Sequence, residues 1–399
     1  MHYWHAFFAF LVATAVAALL TPFASRFARR IGAVVMPSER GLAERPTPAL
    51  GGLAILAGVL AASLLWLPGT ISLHHTAGTA PGSGGIVHTW AIIAGACLIT
   101  LVGAIDDWRP LVPLVKLLGQ IAAALIAVKA GHVLVTDVTI PFLGTLQLPN
   151  TGGVLTVIWL VGLMNVVNFS DGVDGLAAGL CTIDGAAFAI IAFTLHVPGA
   201  GVLAALTAGA ALGFLFHNFY PASAFMGDSG ANLLGVVAVI GSIKTGAVVT
   251  LVVPLIVLAV PFLDTGFVVA KRLKYRRKPW SHDLNHFHHR MARMGFGPRR
   301  TVAYLYGWTL MLAGVAVALR FVPYSNHRGT YHLGWLLVMA AIVLIALAAS
   351  IYLIYVLEIL KFKSWRAREI RTSDPSRSER EIAESVQREV ETGEFERVG

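Results

Sequence analysis

Apolar runs of bilayer length recur along the whole chain, and they restrict its fold more than any other feature. A helix needs about 20 apolar residues to cross the hydrocarbon core of a membrane, and Gly, Pro or charged residues bound each run. The sequence therefore predicts an all-α fold, a polytopic transmembrane helical bundle with about eleven spans. The runs lie near residues 4–22, 50–67, 89–105, 113–130, 152–168, 176–195, 200–217, 231–245, 247–270, 301–319 and 333–358.

The composition is typical of a membrane domain. Hydrophobic residues make up 56% of the 399 and charged residues 13%, and the mean hydropathy is +0.73. The net charge of +9 comes from basic residues beside apolar runs, so we expect no nucleic-acid partner. We expect a membrane domain over residues 1–360, with residues 1–20 as a retained first span, and a charged cytoplasmic tail, helical or disordered, over residues 361–399.

Lysine and arginine are distributed unevenly between alternate loops. Residues 26–45 hold five of them, residues 106–116 two and residues 271–300 ten. The positive-inside rule therefore predicts an external N-terminus and a cytoplasmic C-terminus. One external connection, residues 132–148, alternates β-branched and polar residues and predicts a small β-hairpin.

Acidic residues before the tail cluster at the ends of spans, where an ionised group is costly and is by default a functional candidate. The adjacent Asp106 and Asp107 indicate a divalent cation site or a base, or only helix capping. Between residues 165 and 179, four polar side chains recur every three positions among glycines, a spacing that gathers donors and acceptors for a sugar or nucleobase. These four are Asn165, Asn168, Asp171 and Asp174.

Two further segments carry groups suited to phosphate. Asp228 stands between glycines in FMGDSGAN, close to Phe225, which can stack on a ring. A metal–diphosphate site fits there, although Ser229 by itself would also fit a helix cap. Residues 271–300 combine basic side chains with a histidine cluster, and we expect phosphate recognition there sooner than a transition-metal site. The cluster consists of His286, His288 and His289.

Carboxylates, amides and basic groups on one membrane face are typical of phosphoryl transfer, in which positioning and charge stabilisation do most of the work. Two other classes remain as alternatives. An ion-coupled secondary transporter would carry paired acids near the bilayer midplane in repeated halves. A membrane anchor that presents the tail to a partner would leave the polar motifs without a role.

Five motifs, in their order along the chain, resemble the polyprenyl-phosphate N-acetylhexosamine-1-phosphate transferases of glycosyltransferase family 4, which include the phospho-MurNAc-pentapeptide translocase. They are PTPALGG at 46–52, the pair at 106–107, NVVNFSDGVDGLAAG at 165–179, FMGDSGANLLG at 225–235 and HFHH at 286–289. Family members carry a His and a basic residue ahead of the PTP turn. This chain has Ala43 and Glu44 there, which leaves Arg40 or Arg45 as a basic substitute.

The resemblance implies a reaction between a cytosolic UDP-N-acetylhexosamine and undecaprenyl phosphate in the inner membrane of a bacterium, with release of UMP. It implies Mg²⁺, with Mn²⁺ as a substitute, held by Asp228, Asp106 and Asp107, which are also the implied catalytic residues. The residues implied to contact substrate are Asn165, Asn168, Asp171, Asp174, Phe225, Arg45, His286, His288 and His289.

The segment HFHHRM at 286–291 is similar to the branch of this family that uses UDP-GlcNAc. The resemblance therefore favours transfer of GlcNAc 1-phosphate at the start of a cell-envelope polysaccharide. A phospho-MurNAc-pentapeptide transferase of peptidoglycan synthesis is the alternative. Membrane lipids are expected partners, and a homodimer is left open.

Overall fold

The structure is a computed structural model that describes much of the membrane domain and part of the tail. The described residues are 3–37, 45–72, 86–135, 137–140, 144–148, 151–240, 258–260, 262–263, 297–321, 332–355 and 361–392. The long helices are α1 (Tyr3–Ile31), α2 (Gly51–Trp66), α3 (Thr89–Trp108), α4 (Pro113–Leu125), α5 (Gly152–Ser170), α6 (Leu176–Thr194), α7 (Pro198–Asn218), α8 (Gly227–Ile240), α9 (Pro298–Phe321), α10 (Leu333–Tyr355), α11 (Lys361–Ser373) and α12 (Glu379–Thr392). A π-helix, Ile126–Ala130, continues α4. The prediction of a mostly helical fold is confirmed.

Eight of the described helices are long and apolar enough to cross a membrane, and α2 is a shorter apolar helix. Large apolar side chains on these helices are widely exposed, for example Leu64 at 87% and Leu333 at 71%, as a surface in contact with lipid requires. The predicted span at 247–270 lies almost wholly outside the described residues. The count of eleven spans and the orientation of the termini therefore stay predictions.

Three short antiparallel strand pairs connect the helices. The hairpin predicted within residues 132–148 is confirmed, because β5 (Asp137–Ile140) pairs with β6 (Gly144–Gln147). Two further pairs have no counterpart among the predictions. They are β1 (Val34–Val35) with β2 (Thr47–Pro48), and β3 (Thr70–Ser72) with β4 (Ile86–His88).

Small residues let the central helices approach closely. A stripe of fully buried alanines on α1 recurs every four residues, and it consists of Ala9, Ala13 and Ala17. On α7, an added Cβ at Gly213 would lie 2.2 Å from the carbonyl oxygen of Thr14. Such backbone-to-backbone packing supplies dispersion contacts where lipid removes the hydrophobic driving force between helices.

The described part of the tail forms two helices that pack on each other. Ile370 of α11 contacts Ile382 and Val386 of α12 in a small apolar core. A capping box begins α12, since the Ser378 N–H donates to Glu381 Oε2 at 2.8 Å and the Glu381 N–H donates to Ser378 Oγ at 3.3 Å. Local sequence thus specifies this helical pair.

We expect Gly213→Ala to destabilise the protein by about 1–3 kcal/mol, because the new methyl group would overlap the backbone of α1. Gly162→Ala is the matched control, since its Cβ would meet nothing within 4 Å and alanine favours the helix. Thermal unfolding in detergent compares the two variants. Equal midpoints would contradict close packing of α1 on α7.

Candidate active site

Asp107 in the last turn of α3 holds the first turn of α8. Its Oδ1 accepts a hydrogen bond from the Asp228 N–H at 2.7 Å, and its Oδ2 accepts from the Ser229 N–H at 3.2 Å and the Ser229 hydroxyl at 2.7 Å. The first N–H groups of a helix have no partner within the helix, and a carboxylate satisfies them well. Asp107 is therefore the cap of α8, supplied from another helix.

Glycines make this contact sterically feasible. An added Cβ at Gly103 would lie 2.4 Å from the Ser229 backbone nitrogen. Gly227 has a φ of +65°, a left-handed conformation that glycine adopts without strain. A Cβ there would lie 2.3 Å from both the Ala49 carbonyl oxygen and Asp107 Oδ2. No larger residue fits at either position without a shift of backbone.

Lys116 joins two of the predicted catalytic carboxylates. Its ammonium lies 2.8 Å from Asp106 Oδ2 and forms a second ion pair with Asp228. Asp106 Oδ1 also accepts the Leu111 N–H at 2.7 Å, which fixes the turn between α3 and α4. From the sequence, Lys116 was one of the positive charges that predict topology. Its position in the first turns of α4, close after the acidic pair, was the available signal.

Asp171 and Asp174 follow α5 and face the same cluster. Burial raises the pKa of Asp171 well above its usual range, and the nearby carboxylates of Asp107 and Asp228 raise it further. Asp174 has a structural bond, since its Oδ2 accepts the Ala222 N–H at 2.9 Å. Asp171 thus lies close enough to Asp107 and Asp228 to interact with their charges, while the Lys116 ammonium contacts Asp106 and Asp228.

The PTPALGG segment positions the motif that carries Asp228. The Phe225 N–H donates to the Pro48 carbonyl at 2.8 Å, the Gly51 N–H to the Phe225 carbonyl at 3.0 Å and the Gly52 N–H to the Met226 carbonyl at 3.0 Å. Phe225 is half-buried, and Arg45 is exposed just before the turn. The backbone bonds of this segment therefore fix Phe225 and Met226, which precede Asp228 by three and two residues.

Asn218, which the sequence analysis did not select, connects two loops of the site. Its Oδ1 accepts the Gly175 N–H at 3.0 Å and its Nδ2 donates to the Ala224 carbonyl at 2.9 Å. The Tyr306 hydroxyl donates to the Gly175 carbonyl, and an added Cβ at Gly179 would overlap the Tyr306 ring. Gly179 therefore makes room for a side chain of α9.

The remaining predicted residues are placed differently. Asn168 is half-buried in the last turn of α5, close in sequence to Asp171. Asn165 lies deeper, where its amide donates to Gln120 Oε1 at 2.9 Å and to the Val161 carbonyl at 2.8 Å. His286, His288 and His289 lie outside the described residues. In the first turn of α9, the Arg299 guanidinium lies 5.8 Å from the centroid of the Tyr220 ring.

The carboxylate donors suit a hard cation. Mg²⁺ is typically bound by one or two carboxylates together with substrate phosphates. Within the described ranges, no three carboxylate, imidazole or thiol groups meet as a ready metal site. Asp228 and Asp106, which both pair with Lys116, are the carboxylates that could hold such an ion together with substrate oxygens.

We expect Asp107→Ala to speed hydrogen exchange of the Asp228 and Ser229 amides about tenfold, since losing a helix cap costs about 1 kcal/mol or more. Arg109→Ala, which removes an exposed side chain stacked on Trp108, is the control and should leave these amides unchanged. Exchange measured by mass spectrometry in detergent separates the variants. Unaltered exchange in Asp107→Ala would show that α8 is capped otherwise.

Comparison with protein families matches residues 89–246 to Glycosyl transferase family 4. The matched region contains α3 to α8, and therefore every described carboxylate of the site.

Similar proteins cover most of the chain. A probable undecaprenyl-phosphate N-acetylglucosaminyl 1-phosphate transferase of Bacillus subtilis is 33% identical over 321 residues, which are 77% of this chain and 84% of the relative. The decaprenyl-phosphate N-acetylglucosaminephosphotransferase of Mycolicibacterium smegmatis is 36% identical over 77% of this chain and 81% of its own length. A phospho-N-acetylmuramoyl-pentapeptide-transferase of Desulforudis audaxviator is 30% identical over 78% of this chain and 95% of its own length.

These relatives confirm the resemblance found in the five motifs. The similarity extends over about three quarters of the chain, at 33% identity over 77% of it in the Bacillus relative. The family match includes the carboxylate cluster. This chain therefore belongs to glycosyl transferase family 4.

Proposed function

We propose that this protein transfers N-acetylglucosamine 1-phosphate from a UDP-sugar to a polyprenyl phosphate and releases UMP. One observation carries the proposal: Lys116 joins Asp106 and Asp228 beside the capped start of α8. This cluster lies within the region matched to the family. It offers an ammonium group to a diphosphate and carboxylates to a cation.

The names of the relatives support the choice of sugar. Two that are 33% and 36% identical are named for N-acetylglucosamine 1-phosphate transfer to undecaprenyl or decaprenyl phosphate. The pentapeptide-transferase relative is 30% identical. N-acetylglucosamine is therefore the proposed sugar, and the N-acetylmuramoyl-pentapeptide is the competing donor that an assay must include.

The proposed chemistry is a displacement at the sugar-bearing phosphorus. An oxygen of the lipid phosphate forms a bond to this phosphorus while the bond to the UMP oxygen breaks, so one P–O bond replaces another. Asp228 and Asp106 or Asp107 would hold Mg²⁺, which when bound neutralises the diphosphate and the departing UMP. Lys116, a compact ammonium, would donate to a phosphate oxygen in place of a carboxylate.

The nucleotide would lie against the loops that precede α6 and α8. Asn168, Asp171 and Asp174 supply polar groups there, and the half-buried Phe225 supplies a ring face. Arg45 and the histidines at 286, 288 and 289 would contact phosphates or sugar. The arrangement of helix ends supports this assignment, because the C-terminus of α5 and the N-termini of α6 and α8 contribute to one cluster.

We further propose the bacterial inner membrane as the location, with eleven spans and this cluster at the cytoplasmic surface. A water-soluble nucleotide sugar and a lipid phosphate can meet only near the headgroup plane. The described carboxylates support the proposal because they lie at helix ends. The basic loops that flank them favour the cytoplasmic side.

We expect purified protein with Mg²⁺ and undecaprenyl phosphate to release UMP from UDP-GlcNAc. Parallel reactions with UDP-GalNAc and UDP-MurNAc-pentapeptide test the donor, and omission of the lipid is the control. A nucleotide-release assay measures the product. No release with any donor would refute the proposed reaction, and release only with the pentapeptide would replace the sugar.

We expect Lys116→Met to lower kcat about 100-fold or more, because it removes a preorganised cation from between two carboxylates and from the reacting phosphates. Lys129→Met is matched to it, since Lys129 is exposed in the π-helix that continues α4, and it should stay within about threefold of wild type. Steady-state UMP release compares them. Similar rates for both variants would remove Lys116 from the mechanism.

A further inference from the structure

Hydrogen bonds between three amide side chains connect α4, α5 and α8 one helical turn from Lys116 and Asp228. Gln120 of α4 donates from Nε2 to Asn232 Oδ1 at 2.8 Å. Asn165 of α5 donates to Gln120 Oε1 at 2.9 Å, and Asn232 of α8 donates to the Asp228 carbonyl at 2.7 Å. Gln120 and Asn232 are each 3% exposed. The bond from Asn232 acts on the first turn of α8.

The amide contacts lie one helical turn beyond the ion pairs of the site on both α4 and α8. Gln120 follows Lys116 by one helical turn on α4, and Asn232 follows Asp228 by one turn on α8. Lys116 pairs with Asp228, and Gln120 pairs with Asn232. The two contacts therefore form successive rungs between the same two helices.

α4 packs mainly on α3 and α5, and the described bonds that join its side chains to α8 come from Lys116 and Gln120. Its buried residues are Gln120, Ala123 and Ala124, while Leu114 is 62% exposed and Leu118 57% exposed. A buried amide that loses its partner in an apolar setting costs about 1–3 kcal/mol. The Gln120–Asn232 bond therefore favours one position of α4 relative to α8.

We propose that Gln120 is a positioning residue that places the Lys116 ammonium between Asp106 and Asp228. Gln120 touches neither of these carboxylates in the described structure, so it acts through Lys116 and through the first turn of α8. Asn165 holds Gln120 in place, since its amide donates to Gln120 Oε1 and to the Val161 carbonyl. This inference rests on the proposed transfer reaction for its catalytic readout.

The test replaces Gln120 by methionine, which keeps the length of the side chain and removes its hydrogen bonds. We expect kcat to fall about 10- to 100-fold, as for a displaced catalytic group, while KM for both substrates changes little. Exchange of the amides at 228–232 should rise. Thr100→Val is the matched control, because Thr100 is fully buried in α3 and bonds only within its helix in the described structure; it should change neither readout.

A double variant separates positioning from a general loss of stability. In a Lys116→Met background, Gln120→Met should lower kcat by no more than about threefold, because residues that act through one another are not additive. Additive losses, an equal effect of Thr100→Val, or increased exchange with normal kcat would each overturn the proposal. If the wild-type protein releases no UMP from any donor, the proposed reaction fails. Hydrogen exchange then tests the positioning role separately, and unchanged exchange of the amides at 228–232 in Gln120→Met would overturn it.

Discussion

The carboxylate of Asp107 fixes the beginning of α8 against the end of α3, and the positions of the other reactive groups follow from this contact. Three hydrogen bonds converge on it from Asp228 and Ser229, and Gly103 permits the backbone approach. Since Asp228 is the second residue of α8, movement of that helix would separate Asp228 from Lys116. Asp107 therefore has a structural role, the capping of α8, in addition to any catalytic role.

The concentration of like charge is costly, and the rest of the membrane domain must compensate for it. The Lys116 ammonium contacts two carboxylates, those of Asp106 and Asp228. Burial and the neighbouring carboxylates raise the pKa of Asp171. The compensation comes from regions without chemistry, such as the close contact of α1 with α7 around Gly213. A rigid small-residue core can hold groups that would otherwise repel one another.

Sequence patterns predicted the features that depend on neighbouring residues. The apolar helices and the β5–β6 hairpin follow from local periodicity, and the acidic positions follow from their cost in a membrane. Contacts between distant segments were missed. Ser229 fitted a local helix cap, yet the cap is Asp107, at a sequence separation of 121 residues from Asp228. The PTP turn joins the motif of Asp228 by backbone bonds to Phe225 and Met226, and only pairing in three dimensions reveals them. A substrate contact of Arg45 stays a prediction.

The polar groups shared by α4 and α8 change in kind with depth. Charged Lys116 and Asp228 occupy the rung nearest the helix ends, where phosphates and water can compensate an ion. One turn further along, the rung consists of neutral amides, Gln120 and Asn232, which tolerate burial once both are hydrogen-bonded. An ion pair at the deeper level would incur a desolvation cost with no substrate to offset it. Apolar residues there would remove the bond that joins α4 to α8 at this level, so paired amides connect the two helices at a low electrostatic cost.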